Sequence, residues 1–345
     1  TTPEAPDLQR QLAGYVAEGV DAVVMEVSSH AMVFHRVAGT RFDVVVFTNL
    51  GRDHLDLHES MEAYFRAKAS LFDPSLAVRG VTNLDDTSGR LIFDAAQIET
   101  HGYSLADAVD VTVGVDHHTF VWHGRAVTVP VGGHFNVMNS LAALTAADVL
   151  GIPAEVAVRG LATCSTVPGR FETVSDPARD RISVVVDYAH TPDGLEALLG
   201  SARQMLRGGR LIAVFGCAGD RDAEKRAPMG AVGVALADIA IITSDNPRRE
   251  DPASIIAEVL AGVATADRAR TRTEVDRRTA IAAAIDLAQP GDIVVIAGKG
   301  HETTQTVGDD VRPFDDRVVA RELLDELAAG SVDDTATSTL TGEPS

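Results

Sequence analysis

Between residues 182 and 297 the chain repeats one pattern: a five-residue apolar run, a polar loop rich in Gly, Asp, Asn or Pro, then a longer amphipathic stretch. The apolar runs are Ile182–Val186, Leu211–Phe215, Ile239–Thr243 and Ile293–Ala297. Helical stretches at Pro192–Leu206, Glu224–Ala237, Pro252–Ala264 and Arg277–Ala288 alternate with them. Runs this short and this apolar are strands buried on both faces, and their alternation with helices predicts a doubly wound parallel sheet. The chain is 345 residues long, enough for about two domains of ordinary size. The first half also reads as α/β, less regularly. A helix is expected at Asp7–Glu18 and a buried strand at Asp21–Val27, with a second strand at Phe42–Phe47. A helix capped by Ser60 comes next. Strand-like runs follow near Val78–Thr82 and from Val109 to Val131, and an Ala/Leu-rich helix from His134 to Leu150. The small and turn residues of 163–169 suggest a boundary, giving domains at 1–166 and 167–329. Residues 330–345 read as an aperiodic, disordered tail.

Composition narrows the function classes. Fifty acidic against 30 basic residues leave a net charge of −20, which opposes nucleic acid or an anionic membrane surface as partner. No apolar run approaches the ~20 residues of a membrane span. Two cysteines, Cys164 and Cys217, without metal-ligand spacing predict a reducing, cytoplasmic setting. Lysine occurs only at Lys68, Lys225 and Lys299, all other strong cations being arginine. Such a bias leaves lysine chiefly where a primary amine is needed.

In an open parallel sheet, ligands bind beyond the carboxyl ends of the strands. Four loops leave that edge: Asp187-Tyr-Ala-His190-Thr-Pro-Asp-Gly, Gly216-Cys-Ala-Gly219-Asp-Arg221-Asp, Ser244-Asp-Asn-Pro-Arg248-Arg and Gly298-Lys-Gly-His-Glu302. Each alone is an ordinary turn composition. Together they supply Arg221, Arg248, His190, His301, Asn246 and Glu302 to one crevice, a set suited to a zwitterion such as an amino acid. In the first half, Glu26 ends the expected strand and Asp53-His54 follows the next. Lys68 falls on the inward stripe of the helix after Ser60, where an ammonium is paired, neutralised or used, or else snorkels to solvent along its stem.

At these residues the chain resembles the Mur ligases, and among them those that add meso-diaminopimelate to UDP-N-acetylmuramoyl-L-alanyl-D-glutamate. Besides the four loops, the matching stretches are Thr1-Thr2-Pro3, Met25-Glu-Val-Ser-Ser-His30, His35-Arg36 and Phe47-Thr-Asn-Leu-Gly-Arg-Asp-His-Leu-Asp56. Tyr64-Phe-Arg-Ala-Lys68, Gly133-His-Phe-Asn136-Val-Met-Asn139 and Pro168-Gly-Arg170-Phe-Glu complete the set. They run in the family's order from the first residue to about Phe314. The resemblance implies a central ATPase-type domain followed by a Rossmann-like carboxy-terminal domain. It implies ligation through an acyl phosphate in peptidoglycan precursor synthesis by a monomer, with ATP as substrate and Mg2+ as cofactor. Glu26, His54 and a carbamylated Lys68 would hold the metal, with Lys68 and His54 catalytic. Thr1, Thr2, Ser28 and Arg36 would hold the UDP-MurNAc-dipeptide. Asn136, Asn139, Arg170 and Asp187 would meet ATP. Arg221, Asp245, Asn246, Pro247, Arg248, Gly298 and Glu302 would form the diaminopimelate pocket, Arg248 pairing with the distal carboxylate that lysine lacks.

Two departures qualify the resemblance. The family's phosphate loop, GxxxxGK followed by Ser or Thr, does not occur in these residues. The expectation is therefore an amino-terminally truncated ligase with impaired turnover. Phe34 also stands where related sequences tend to be polar, beside the substrate contact expected of Arg36. Three competing readings remain: a folylpolyglutamate synthetase-like ligase, a non-catalytic diaminopimelate-binding fragment, and a binuclear metallohydrolase built on Glu26, Asp53, His54, His58 and Lys68.

Overall fold

The structure, a computed structural model, describes residues 2–53 and 55–338. Among them no helix is long and apolar enough to cross a membrane. The chain forms two compact units: one of residues 1–110, 120–127 and 137–162, the other of 111–119, 128–136 and 163–345. They interleave in sequence between residues 111 and 162.

In the first unit, helix α1 (Ala5–Ala17) begins with proline in its first turn, where the missing N–H has no helical partner to lose. Short α2 (Ser29–Val33) is capped by Ser28, whose Oγ accepts from Ala31 N at 3.1 Å. Strand β1 (Phe42–Phe47) leads through α3 (Leu55–His58) into α4 (Met61–Ala69), which Ser60 caps through Ala63 N. Strand β2 (Ala77–Asn83), helix α5 (Thr87–Ala95) and strand β3 (Glu99–Tyr103) follow. The three strands form a parallel sheet ordered β1-β2-β3 around Val45, Phe47, Phe72, Ala77 and Ile92. The stretch read as several strands resolves into β4 (Val109–Val113), β5 (His118–Trp122) and β6 (Arg125–Val129), one three-stranded sheet. Helices α6 (His134–Val149) and α7 (Ala154–Ala162) come after it.

The segment 21–27 departs from expectation: it forms no strand, and Val24 is 99% exposed. An apolar run becomes a strand only when a neighbouring edge takes up its hydrogen bonds. Among the described residues no strand pairs with it; its ties are to Thr2, whose hydroxyl donates to the Glu26 carbonyl and accepts from Ser28 N.

The second unit matches the alternating pattern closely. Strand β7 (Glu172–Thr173) lies antiparallel on β8 (Ser183–Asp187). Helix α8 (Pro192–Met205), strand β9 (Leu211–Phe215), helix α9 (Arg226–Leu236), strand β10 (Ile239–Thr243) and helix α10 (Pro252–Ala261) follow. Strand β11 (Thr271–Glu274), helix α11 (Arg277–Leu287) and strand β12 (Ile293–Ala297) complete a six-stranded sheet ordered β11-β10-β9-β12-β8-β7. All its pairs except β7–β8 are parallel. Alternate residues Val184, Val186, Ile212, Val214, Val294 and Ile296 form one buried face against α11 and a final helix, α12 (Asp316–Ser338). On the other face α9 packs between α8 and α10, with Gly233 against the Phe215 ring.

The antiparallel hairpin of β13 (Thr304–Val307) and β14 (Asp310–Pro313) had no counterpart in the sequence reading. Helix α12 also runs on through residues 330–338, which were read as tail, because extending a formed helix is far easier than nucleating one. Residues 339–345 lie outside the described residues.

Candidate active site

In the second unit, the register Ala297↔Asp187, Ile296↔Val214 and Ile242↔Phe215 brings the carboxyl ends of β8, β12, β9 and β10 to one sheet edge. The loops after β9 and β10 are knitted together. Gly219 N donates to Asn246 O at 2.9 Å, and Arg248 Nη1 donates to Gly219 O at 3.0 Å. A Cβ on Gly219 would lie 2.0 Å from the Pro247 carbonyl oxygen, so only glycine allows the approach. Arg221, exposed, therefore sits two residues from the carbonyl that Arg248 grips.

Arg248 itself holds a left-handed backbone, φ +50°, which is rare for a non-glycine residue. Strand β13 imposes it: Arg248 N donates to Thr306 O at 3.0 Å, and Gly308 N donates to Arg248 O at 2.5 Å. Strain of this kind persists only where surrounding contacts fix it, and it concentrates at functional sites.

Beneath the loops lies a polar network. Asn246 Nδ2 donates to Glu302 Oε2 (2.7 Å) and Asp245 Oδ1 (3.0 Å), while its Oδ1 accepts from Thr306 N (3.0 Å) and Lys299 Nζ (3.4 Å). An amide has two donors and two acceptor sites, so Asn246 is fully used inside the protein. It braces Glu302 and the start of the β13 segment from beneath the loops. Fully buried Lys299 also donates to Glu302 Oε2 at 3.0 Å and to Thr304 O at 2.6 Å. Burial raises the Asp245 carboxyl above its usual range, opposed by the charges of Arg277 and Lys299. Gly298, at φ +118°, passes close over it: a Cβ there would lie 2.6 Å from Asp245 Oδ2.

The expected ATP residues fall into two local arrangements. Asp187, buried, accepts from Phe171 N and Ala189 N, each at 2.7 Å, and burial raises its pKa despite those bonds. The Arg170 guanidinium lies 4.5 Å from the Tyr188 ring centroid, and His301 meets the same ring at 5.0 Å. Gly169 and Gly300 touch so closely that a Cβ on Gly169 would lie 2.0 Å from Gly300 C, which fixes this neighbourhood. Asn136 and Asn139 stand three residues apart on α6.

In the first unit, Thr2, Glu26, Ser28 and Arg36 do converge, through the Thr2 hydroxyl bonds already described and an Arg36 Nη1 bond to Thr2 O at 3.1 Å. Arg36 also pairs with Glu4 at 2.5 Å. The convergence uses the Glu26 carbonyl; its side chain is exposed. Thr1 and His54 lie outside the described residues. Lys68 stands 5.1 Å from the Tyr64 ring, which stacks on His58 at 4.9 Å, and His58 Nε2 meets Ser29 Oγ at 2.9 Å. Burial lowers the Lys68 pKa, against the opposing pull of Asp53, so its neutral amine is reached more readily than an ordinary lysine's. Burial and Asp53 push the Tyr64 phenol up to about 12. Among the described residues no three His, Cys, Asp or Glu side chains come together as a metal-binding group.

Residues 1–147 match the Mur ligase middle domain, and residues 169–300 match the Mur ligase glutamate ligase domain. A UDP-N-acetylmuramoyl-L-alanyl-D-glutamate–2,6-diaminopimelate ligase of Streptomyces avermitilis is 46% identical over 341 residues, covering 94% of this chain and 67% of its own length. The chain belongs to the Mur ligase family. Within it, the chain groups with the diaminopimelate-adding members, ATP-dependent ligases of peptidoglycan and cell-wall synthesis. The corresponding ligase of Gloeobacter violaceus is 48% identical over 333 residues, again covering 94% of this chain and 67% of its own. A solved structure of such a ligase superposes with a TM-score of 0.63 at 38% identity, over 95% of this chain and 69% of that one. The Mycobacterium tuberculosis folylpolyglutamate synthase superposes at 0.58 with 20% identity, over 74% of this chain and 60% of that one, and so shares the fold.

Sequence reasoning did not find Arg226, Glu250, Arg277 and Asp316, which hold the loops from behind. Lys299 stands out in the sequence as one of three lysines and as part of the fourth loop, but with no role of its own. Arginines on helices carry no local signal of burial.

Proposed function

We propose that this chain seats meso-diaminopimelate for its addition to UDP-N-acetylmuramoyl-L-alanyl-D-glutamate. The observation that supports this most is the joined pair of loops, which presents Arg248 in a fixed, strained pose beside the segment carrying Arg221. A guanidinium pairs with a carboxylate in bidentate fashion, and the distal carboxylate separates diaminopimelate from lysine. Glu302 is held by Lys299 and Asn246 through Oε2; among the described residues its Oε1 takes no hydrogen bond, and it would meet an ammonium group of the ligand.

In this reading the dipeptide carboxylate attacks the γ-phosphorus of ATP, forming an acyl phosphate as ADP leaves. The amine of diaminopimelate then attacks the acyl carbon, phosphate departs, and the ammonium proton is lost to solvent. Such chemistry depends on positioning and on neutralising phosphate charge. Arg170, stacked on Tyr188 and oriented by the Gly169–Gly300 contact, would face the phosphates. Thr2, Ser28 and Arg36 would hold the nucleotide-linked dipeptide. Glu26, His54 and a carbamylated Lys68 would hold magnesium, which would neutralise phosphate charge; His54 lies outside the described residues, and no step here runs through the ion.

Calorimetric titration tests the seat. The chain should bind meso-diaminopimelate about tenfold or more tightly than L-lysine, as expected for one charge-assisted bidentate contact, and Arg248→Ala should erase the difference. Equal affinities in the unaltered chain would refute the assignment.

Lys68 is proposed to take up CO2, its neutral amine forming an N–C bond and releasing one proton to give an anionic carbamate. With 13C-bicarbonate, a carbamate carbon resonance should appear and should be missing in Lys68→Met. No resonance, or one that persists in the variant, would disprove the modification at this residue.

A further inference from the structure

Arg226 has no place in the chemistry above, yet it is among the largest fully buried side chains of the protein, at 2% exposure. It stands at the start of α9 and reaches back toward the sheet edge. Nη1 and Nη2 form a fork onto Glu250, at 2.8 and 2.9 Å, and Nη1 also meets Glu258 at 2.9 Å. Nη2 reaches the Ala218 carbonyl at 3.3 Å, inside the Arg221 loop. Glu250 in turn accepts from Asp220 N at 2.5 Å, on the residue next to Arg221. Two residues before Glu250 in sequence is Arg248.

One guanidinium–carboxylate pair therefore bridges the two loops whose arginines would read the ligand. On one side it holds Ala218 and Asp220; on the other, Glu250 anchors the end of the Asp245–Arg248 turn. The exposed pair Arg249–Asp220, at 2.9 Å, spans the same gap nearer solvent. Exposed pairs contribute little, so the bidentate fork, whose guanidinium is buried, sets the spacing. A planar fork fixes both distance and orientation, which a lysine could not do.

We infer that Arg226 and Glu250 are positioning residues that set amino-acid selectivity, by fixing the separation of Arg221 and Arg248 so that both address a ligand with a second carboxylate. This deepens the proposed function and rests on it. Neither side chain touches the ligand; they act through the loops. Loosening the fork leaves both arginines present but no longer held at one spacing. The loss falls on the ligand that needs both guanidinium groups, and lysine, lacking the distal carboxylate, is little affected.

The experiment compares Arg226→Lys and Glu250→Gln with the unaltered chain and Arg248→Ala, titrating each with meso-diaminopimelate and with L-lysine. Glu250 is 34% exposed, so its isosteric replacement keeps the fold even if Arg226→Lys does not; thermal unfolding of each variant reports this. The inference expects diaminopimelate affinity to fall about tenfold with lysine affinity unchanged, collapsing the ratio. A merely structural role would lower the unfolding temperature and leave that ratio intact. If the unaltered chain shows no preference, the reading of the pocket itself fails. If it does, and Arg248→Ala removes it while folded Glu250→Gln retains it, the positioning role alone is overturned.

Discussion

Asp316→Asn should destabilise the second unit by about 3–5 kcal/mol, the largest effect expected of any isosteric change in the chain. Asp316 and Arg277 are completely buried and paired in two parallel bonds, Nε to Oδ1 and Nη2 to Oδ2, both 2.7 Å. The same guanidinium donates to Ser244 O at 3.1 Å and Ala297 O at 2.9 Å, just beyond β10 and at the end of β12. Arg277 thus ties helices α11 and α12 to two of the four site loops. Asparagine keeps the volume but removes the paired countercharge, leaving a buried guanidinium whose charge only the Asp245 and Glu302 carboxyls, neither bonded to it, offset. Urea unfolding should show the midpoint falling while the slope stays constant. Replacing both partners together, as Arg277→Met with Asp316→Leu, should recover part of the loss, since a buried pair is weak evidence for net stability but a broken pair is costly. A loss below about 1 kcal/mol in Asp316→Asn would show that water reaches the arginine after all.

The second large effect concerns Lys299. Its ammonium offers three donors and meets three acceptors: Glu302, Asn246 and the Thr304 carbonyl. A compact tripod fits this cage; a planar guanidinium does not, which is why a lysine stands here in a chain that otherwise prefers arginine. Lys299→Met would strip a donor from the Thr304 carbonyl and leave the Glu302 and Asp245 carboxyls with less compensating charge. Each uncompensated buried polar group costs roughly 1–3 kcal/mol. The variant should unfold at markedly lower denaturant, and what remains folded should have lost diaminopimelate binding, because Glu302 and Asn246 are no longer aimed. Lys299→Arg should not rescue either property. Rescue by arginine would mean that charge alone matters and that the tripod geometry does not.

How much of this was legible in the sequence depends on the element. Strands β9, β10 and β12 begin and end where five-residue apolar runs begin and end, because a strand buried on both faces leaves an unbroken hydrophobic signature. The meeting of the four loops at one edge followed from that topology alone. Segment 21–27 carried the same signature and did not become a strand, since composition does not show whether a neighbouring edge is present. Strand β11 and the β13–β14 hairpin, with their polar residues, gave no such signal, and so the cause of the Arg248 strain was hidden. At the site, Arg221, Arg248 and Glu302 could be picked out by residue type. The bracing bonds of Asn246 to Glu302 and Thr306 could not, because they are a matter of distances. Arg226 and Arg277 look like any surface arginine until the helices that carry them are placed.

The central claim is that cationic forks from two joined loops read both ends of a dicarboxylic diamine. A crystal structure of the chain soaked with meso-diaminopimelate tests it directly. The account predicts the distal carboxylate within hydrogen-bond distance of Arg248, and an ammonium group at the open oxygen of Glu302. Density showing the ligand elsewhere, or seated with its distal carboxylate in solvent and Arg248 still bound only to Gly219, would contradict it.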